Sequence, residues 1–257
     1  MSYFGVLGVF IVPPVVALIA LIVSKSRSAD WPPYIAVVML TMIALLYTTP
    51  WDNYLVATGV WWYDEALVTG VTIGWVPIEE YSFFALQTLL TGLWTVFLMR
   101  AVKPVITACS SGKLRLRASI LAALLWLVAV GLLLSGWAPG TYLTLILAWA
   151  LIPIMIQLAY GADILYTNRR LLLGAITVPT VYLWLVDFLA IRSGTWTLDP
   201  AQTLGIALGD TLAVEEMVFF SITNVLISFG IVLMLADTSQ ERAKTIVAQI
   251  KDGLRAE

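Results

Sequence analysis

The sequence predicts an all-α integral membrane protein: seven transmembrane helices, arranged as two parallel three-helix repeats joined by a linker helix (3+1+3). Three observations predict it. Of 257 residues, 61% are hydrophobic and 12% charged, where a soluble domain carries roughly 25% charged residues; mean hydropathy is +0.94. Apolar runs of about 20 residues recur along the chain, each long enough to cross a bilayer core. Finally, the second half repeats landmarks of the first at a constant offset.

The runs lie at 3–23, 34–50, 76–99, 118–136, 141–166, 171–190 and 211–235. Backbone polar groups in lipid are satisfied only in helices or closed barrels, and continuous apolar runs without period-2 alternation select helices. No basic n-region precedes the first run, which reads as a retained helix. Pro13-Pro14 is expected to kink it. The loops set orientation. Lys25, Arg27, Arg100, Lys103, Lys113, Arg115, Arg117, Arg169, Arg170 and four basic residues after the seventh run share one side, while Arg192 alone lies on the other. That 13-to-1 split places the N-terminus outside and the C-terminus in the cytoplasm. Trp51, Trp61, Trp62, Trp75, Trp137 and Trp196 then fall near the outer interface. Beyond Ala236, Ile246, Ile250 and Leu254 form the apolar stripe of a short helix lying on the cytoplasmic surface. The expected divisions are 1–100 (first repeat), 101–138 (linker with the central helix), 139–236 (second repeat) and 237–257 (amphipathic tail).

Composition excludes several functions. A net charge of −2 offers no basic face for nucleic acid. With no histidine, the commonest general base and metal ligand are both missing, and no metal site is expected. The lone Cys109 cannot form an internal disulfide.

The repeat carries the chemistry. Asp52/Asp187, Trp61/Trp196, Asp64/Asp199, Gly70/Gly205 and Gly74/Gly209 are all separated by the same interval. Glu79-Glu80-x-x-Phe83-Phe84 recurs as Glu215-Glu216-x-x-Phe219-Phe220, one position later than that interval would place it, so a single insertion divides the two blocks. Spans 2 and 6, 3 and 7, and by extension 1 and 5 correspond. Three helices per half would insert the second half inverted, and span 4 restores a parallel arrangement. A site between the halves is expected.

Carboxylates at membrane depth are costly and mark function, yet each acidic pair opens an apolar helix. Successive helical residues sit about 100° apart, so one glutamate of each pair can face inward while its neighbour faces elsewhere. Glu80, Phe84 and Gln87 share one face, and Glu216, Phe220 and Thr223 the equivalent one. Glutamates in a first helical turn also favour the macrodipole, with Pro77 suited to N1 and Asp210 or Thr211 to an N-cap. The apolar stretch from Ala66 to Val76 is open to a re-entrant piece or an extra helix. Asp52 and Asp187 are expected to end their helices, Asp64 and Asp199 to be solvated loop residues, and Asn224 to orient a carboxylate or bond its own helix.

Pro77-Ile78-Glu79-Glu80-Tyr81-Ser82-Phe83-Phe84 resembles the Pro-x-Glu-Glu signature of the membrane lycopene cyclases, which occur as paired small subunits in some bacteria and as fused chains elsewhere. Val214-Glu215-Glu216-Met217-Val218-Phe219-Phe220 is similar to the partner subunit's segment, with Leu212 or Ala213 where the first copy has proline. The resemblance covers spans 1 to 7. In fungi similar regions are fused to a phytoene synthase, for which this chain is too short. The resemblance implies a carotenoid β-cyclase: non-redox cyclisation of the linear end groups of lycopene to β-ionone rings, with no cofactor. No Gly-x-Gly-x-x-Gly fingerprint suggests a flavin.

That reaction needs a proton delivered to an alkene, a cation kept from water and a base for a different proton. Carboxyl groups suit the first and third roles. Glu80 and Glu216 are the leading acid–base candidates, with Glu79 and Glu215 next. Phe83, Phe84, Phe219, Phe220, Tyr81 and Trp75 are candidates to stabilise the cation, and Asp52, Asp187, Asn224 and Gln87 to support the site. The expected partners are lipid-dissolved carotene and membrane lipids, with homo-oligomerisation or association with other carotenoid enzymes left open. Alternatives are a 3+1+3 transporter or facilitator, although no Pro-Gln dipeptide occurs, a C50 carotenoid cyclase, and a retinal photoreceptor, although no lysine lies between Leu212 and Leu235.

Overall fold

The computed structural model describes residues 1–24, 31–102 and 110–256, with no side chains described for 246, 247 and 250–256. Among the described residues, seven helices are long and apolar enough to cross a membrane: α1 (Tyr3–Ser24), α2 (Pro32–Ala57), α3 (Ile78–Ala101), α4 (Gly112–Leu134), α5 (Ala138–Thr167, opening with a 3₁₀ turn), α6 (Arg169–Arg192) and α7 (Val214–Leu235). A tail helix, α8 (Asp237–Ala256), follows. The stripe expected on it, and Lys25, Arg27, Lys103 and Cys109, lie outside the described residues or side chains.

Prolines shape the spans and bring hydroxyls with them. The first span takes a π turn over Leu7–Ile11 ahead of Pro13-Pro14, where the missing N–H groups break the regular ladder. Pro14 cannot bond the Phe10 carbonyl, and the Tyr182 hydroxyl donates to it instead. Pro153 frees the carbonyl of Trp149 in the same way, and Tyr47 Oη donates to it at 2.8 Å. Such borrowed donors are how membrane helices tolerate interior proline. α2 passes Pro50 and continues to Ala57, beyond its predicted end. Asp52 and Asp187 therefore lie inside α2 and α6, each five residues before the helix end, and not at their termini.

At one end of the bundle, three two-stranded ribbons replace the re-entrant piece considered for residues 66–76. β1 (Trp61–Tyr63) pairs antiparallel with β4 (Trp196–Leu198); β2 (Thr72–Ile73) pairs with β3 (Val76–Pro77), and β5 (Ala207–Leu208) with β6 (Leu212–Ala213). β1 with β4 ties the two halves together, reinforced by reciprocal bonds from Asp64 N to Thr195 O (3.4 Å) and Asp199 N to Val60 O (2.9 Å). The repeated glycines occupy the turns: Gly59/Gly194, Gly70/Gly205 and Gly74/Gly209 all have positive φ. At Gly74 a Cβ would also lie 2.1 Å from Asn53 Oδ1. Neither expected cap forms: Pro77 is itself the N-cap of α3, Ala213 that of α7, and neither makes a side-chain capping bond. Asp64 and Asp199 close local turns through bonds from Ala66 N and Ala201 N, both 2.9 Å. The Asp199 carboxyl is held below its ordinary range by the bond from Ala201 N and then by the Gln202 amide.

α3 and α7 pack at the centre. A buried polar seam joins them below the ribbons: Gln87 Nε2 donates to Thr223 Oγ1 (2.8 Å), Thr91 Oγ1 to Asn224 Oδ1 (2.6 Å), and Thr95 meets Ser228 at 3.3 Å. Hydroxyl and amide pairs supply association where lipid removes the hydrophobic drive. Helix α4 packs chiefly on α5. At the opposite end Arg242 clamps α8 to the buried Asp163 by two bonds of 3.0 and 2.8 Å.

Candidate active site

The first residues of α3 and α7 point their side chains in two directions, as the helical step requires. Glu79 and Glu215 are fully buried and face the loops. Glu79 Oε1 accepts from Thr69 N at 2.6 Å, and Glu215 Oε1 from Leu204 N at 2.7 Å. Glu80 and Glu216 face the other way, into one shared cavity of about 30 Å³. That volume holds a water or two. Phe83, Phe84, Phe219, Phe220 and Asp187 also line it, with Phe83 set edge-on to Phe220 at 6.0 Å.

Five further aromatic residues complete the wall: Tyr3, Trp61, Tyr63, Tyr142 and Trp196. Tyr3 Oη donates to Glu80 Oε2. Tyr142 Oη donates to Glu216 Oε1 at 2.7 Å. The two tyrosines begin equivalent spans but stand four positions off the interval that relates Asp52 to Asp187; Pro14 and Pro153 share their offset, and that shared offset is the signal that finds them. Tyr63 Oη gives Glu80 Oε2 a second bond at 3.1 Å and itself accepts from Trp61 Nε1 at 2.9 Å. Burial, and next the charge of Glu80, push the Tyr63 phenol well above its ordinary value, so it remains a proton-bearing donor.

Several expected members stand elsewhere. Trp75 is 68% exposed at the ribbon end. Tyr81 donates to Ile73 O (2.8 Å) and accepts from Asn53 Nδ2 (2.9 Å), outside the cavity. Neither lines the cavity that holds Glu80 and Glu216. Asn224 bonds no carboxylate and not its own helix: it accepts from Thr91 and donates to Thr180 at 2.9 Å. Gln87 lies in the seam. Of the tryptophans expected at the interface, Trp62, Trp75 and Trp137 are exposed but Trp61 is buried, and Trp51 stacks on Phe219 and Trp149. Asp187 Oδ1 accepts from Trp196 Nε1 at 3.0 Å, whereas neither oxygen of the fully buried Asp52 has a protein partner.

An apolar cleft of about 110 Å³ between α2, α3, α5 and α7 adjoins the cavity, and Phe84 and Phe219 line both. Ile43 at its edge is 53% exposed, on a surface that faces lipid in a membrane-spanning bundle. A second cleft of about 290 Å³ lies between α1, α3 and α6, with Pro14 and Tyr182 where the first has Pro153 and Tyr47; it shares no lining residue with the acidic cavity.

No family model and no solved structure matches the chain. The lycopene beta-cyclase of Halobacterium salinarum is 41% identical over 239 residues, covering 90% of this chain and 95% of that protein. The chain belongs to the lycopene cyclase family. Bifunctional lycopene cyclase/phytoene synthases of Phaeosphaeria nodorum and Leptosphaeria maculans are 38% and 36% identical over 234 and 236 residues. Those matches cover 86% of this chain and 39% of each fungal protein. For a lycopene cyclase, the chemically informative feature of the geometry is that the two halves deliver one carboxyl each to a single aromatic-walled space.

Proposed function

We propose that this protein is an intramolecular lyase that converts the linear ψ end groups of lycopene to β-ionone rings, giving β-carotene, by acid–base catalysis without redox change. The observation that carries the reading is the meeting of Glu80 and Glu216 in one cavity beside a lipid-facing apolar cleft. The polyene lies in the cleft and its end group reaches the glutamates between Phe84 and Phe219. Cleft and cavity are each smaller than the roughly 300–1,000 Å³ of ordinary small-molecule sites, so these two rings swing aside as the end group enters.

One carboxyl group protonates the terminal alkene. The nearer double bond closes the ring onto the resulting cation, and a carboxylate removes a proton from the ring carbon beside the new cationic centre. The ring faces of Phe83, Phe84, Phe219, Phe220 and Trp61 stabilise the positive charge, and the end group, by filling the aromatic-walled space, displaces the water that would capture it. The loop-facing Glu79 and Glu215 hold the loops that lead into the ribbons, through Thr69 N and Leu204 N. In the membrane the helices form the 3+1+3 arrangement, with the N-terminus and the ribbon end outside and the C-terminus in the cytoplasm, as the basic loops support.

Expression in a lycopene-accumulating host tests the function. The expected result is conversion to β-carotene on chromatography; persistence of lycopene with the protein folded in the membrane rejects it.

A further inference from the structure

The two glutamates occupy equivalent places but not equivalent surroundings. Glu80 Oε2 accepts from two phenols, Tyr3 and Tyr63. Glu216 accepts from one, Tyr142. The difference traces to one repeat position: β4 pairs Leu198 opposite Trp61 where β1 carries Tyr63, and Leu198 has no hydroxyl to offer. Donors aimed at a carboxyl group favour its charged form. The aspartates beside them are both buried, and Asp187 Oδ1 accepts one bond, from Trp196 Nε1. Asp52, beside Glu80, has no donor, and a buried carboxyl without donors is held at lower cost as the neutral acid, which leaves the charge of Glu80 unopposed.

From these contacts we infer that Glu216 is the proton donor and Glu80 the proton acceptor, with Tyr63 the positioning residue that distinguishes them. The inference rests on the cyclase reading and assigns its two roles. The Glu216 O–H bond breaks as a C–H bond forms at the terminal alkene carbon. The ring C–C bond closes, and a C–H bond beside the cation breaks, its proton passing to Glu80. Glu80 then holds the proton and Glu216 the charge, and the proton returns across the shared cavity, by way of a water, before the next turnover.

The test uses the full chain in lipid vesicles in D₂O with lycopene. Glu216→Gln is expected to leave lycopene unconverted and undeuterated, because nothing protonates the alkene. Glu80→Gln still permits protonation. It is expected to return lycopene carrying deuterium at its end groups, or rings whose double bond lies elsewhere because another base removes another proton. Tyr63→Phe is expected to produce the same misplaced double bond in a smaller share of product, a readout that simple loss of folding does not generate. The reverse pattern, with deuterated lycopene or misplaced double bonds from Glu216→Gln alone, overturns the assignment. So does the absence of both signals from both variants when size-exclusion in detergent shows them folded. A wild type that leaves lycopene untouched instead rejects the cyclase reading itself.

Discussion

The two halves of this protein share a scaffold and differ at the chemistry. In both, a loop N–H bonds the outward glutamate, a tyrosine at the start of an equivalent span bonds the inward one, and a proline-freed carbonyl takes a tyrosine hydroxyl from another helix. The differences are few and clustered: Tyr63 against Leu198, a bonded Asp187 against an unbonded Asp52, and one cleft in contact with the acidic cavity where its twin is not. A duplicated frame thus brings two carboxyl groups together, and small departures from symmetry let them do opposite things.

The largest effect expected is at the inward glutamates. Glu80→Gln and Glu216→Gln should each lower β-carotene formation by about 100-fold or more, the usual worth of an acid or base, measured by chromatography per mole of folded protein. Glu79→Gln and Glu215→Gln should stay within about threefold of wild type per folded molecule while melting earlier, since the group removed bonds a loop.

Next in size is the contrast between the clefts. Ile43→Trp fills the cleft that adjoins the acids and should cost about tenfold in kcat/KM, whereas Val178→Trp, at the matching place in the other cleft, should cost less than about twofold. Equal losses would mean that both clefts feed the site.

The phenols give a finer contrast. Tyr142→Phe removes the sole phenol on Glu216 and should lower turnover by about tenfold. Tyr3→Phe leaves Glu80 with Tyr63 and should cost less. The smallest effect is structural. Gly74→Ala should lower thermal stability more than Gly209→Ala, by about 1–2 kcal/mol. Both glycines have positive φ, but the added methyl at 74 meets Asn53, which holds Trp75 N at 2.8 Å, and at 209 has 3.3 Å to Phe188.

Much of this was legible in the sequence because the bilayer makes strong demands. Seven apolar runs, duplicated Glu-Glu-x-x-Phe-Phe segments and glycines at a fixed offset required only counting, and the inward and outward split of each acidic pair follows from helical geometry. Hydrophobicity did not reveal which aromatics meet the acids. Tyr3, Tyr63 and Tyr142 look like ordinary interface residues until β1 and β4 pair across the halves, and Trp75 and Tyr81 look like site residues because they neighbour the motif in sequence. The ribbons are not legible because residues 66–76 read as a buried apolar stretch, whereas Val71, Ile73 and Trp75 stand exposed at the end of the bundle. The asymmetry between Glu80 and Glu216 lies in a contact 17 residues away along the chain, which the motif itself does not contain.

In the proposed reaction a protein carboxyl group delivers an exchangeable proton to the polyene and another removes a different one. Purified chain in lipid vesicles, given lycopene in D₂O and sampled in its first turnover, measures this directly by mass spectrometry of the product. The expected product is β-carotene carrying close to one deuterium for each ring closed. β-Carotene formed without deuterium in that first turnover would contradict it.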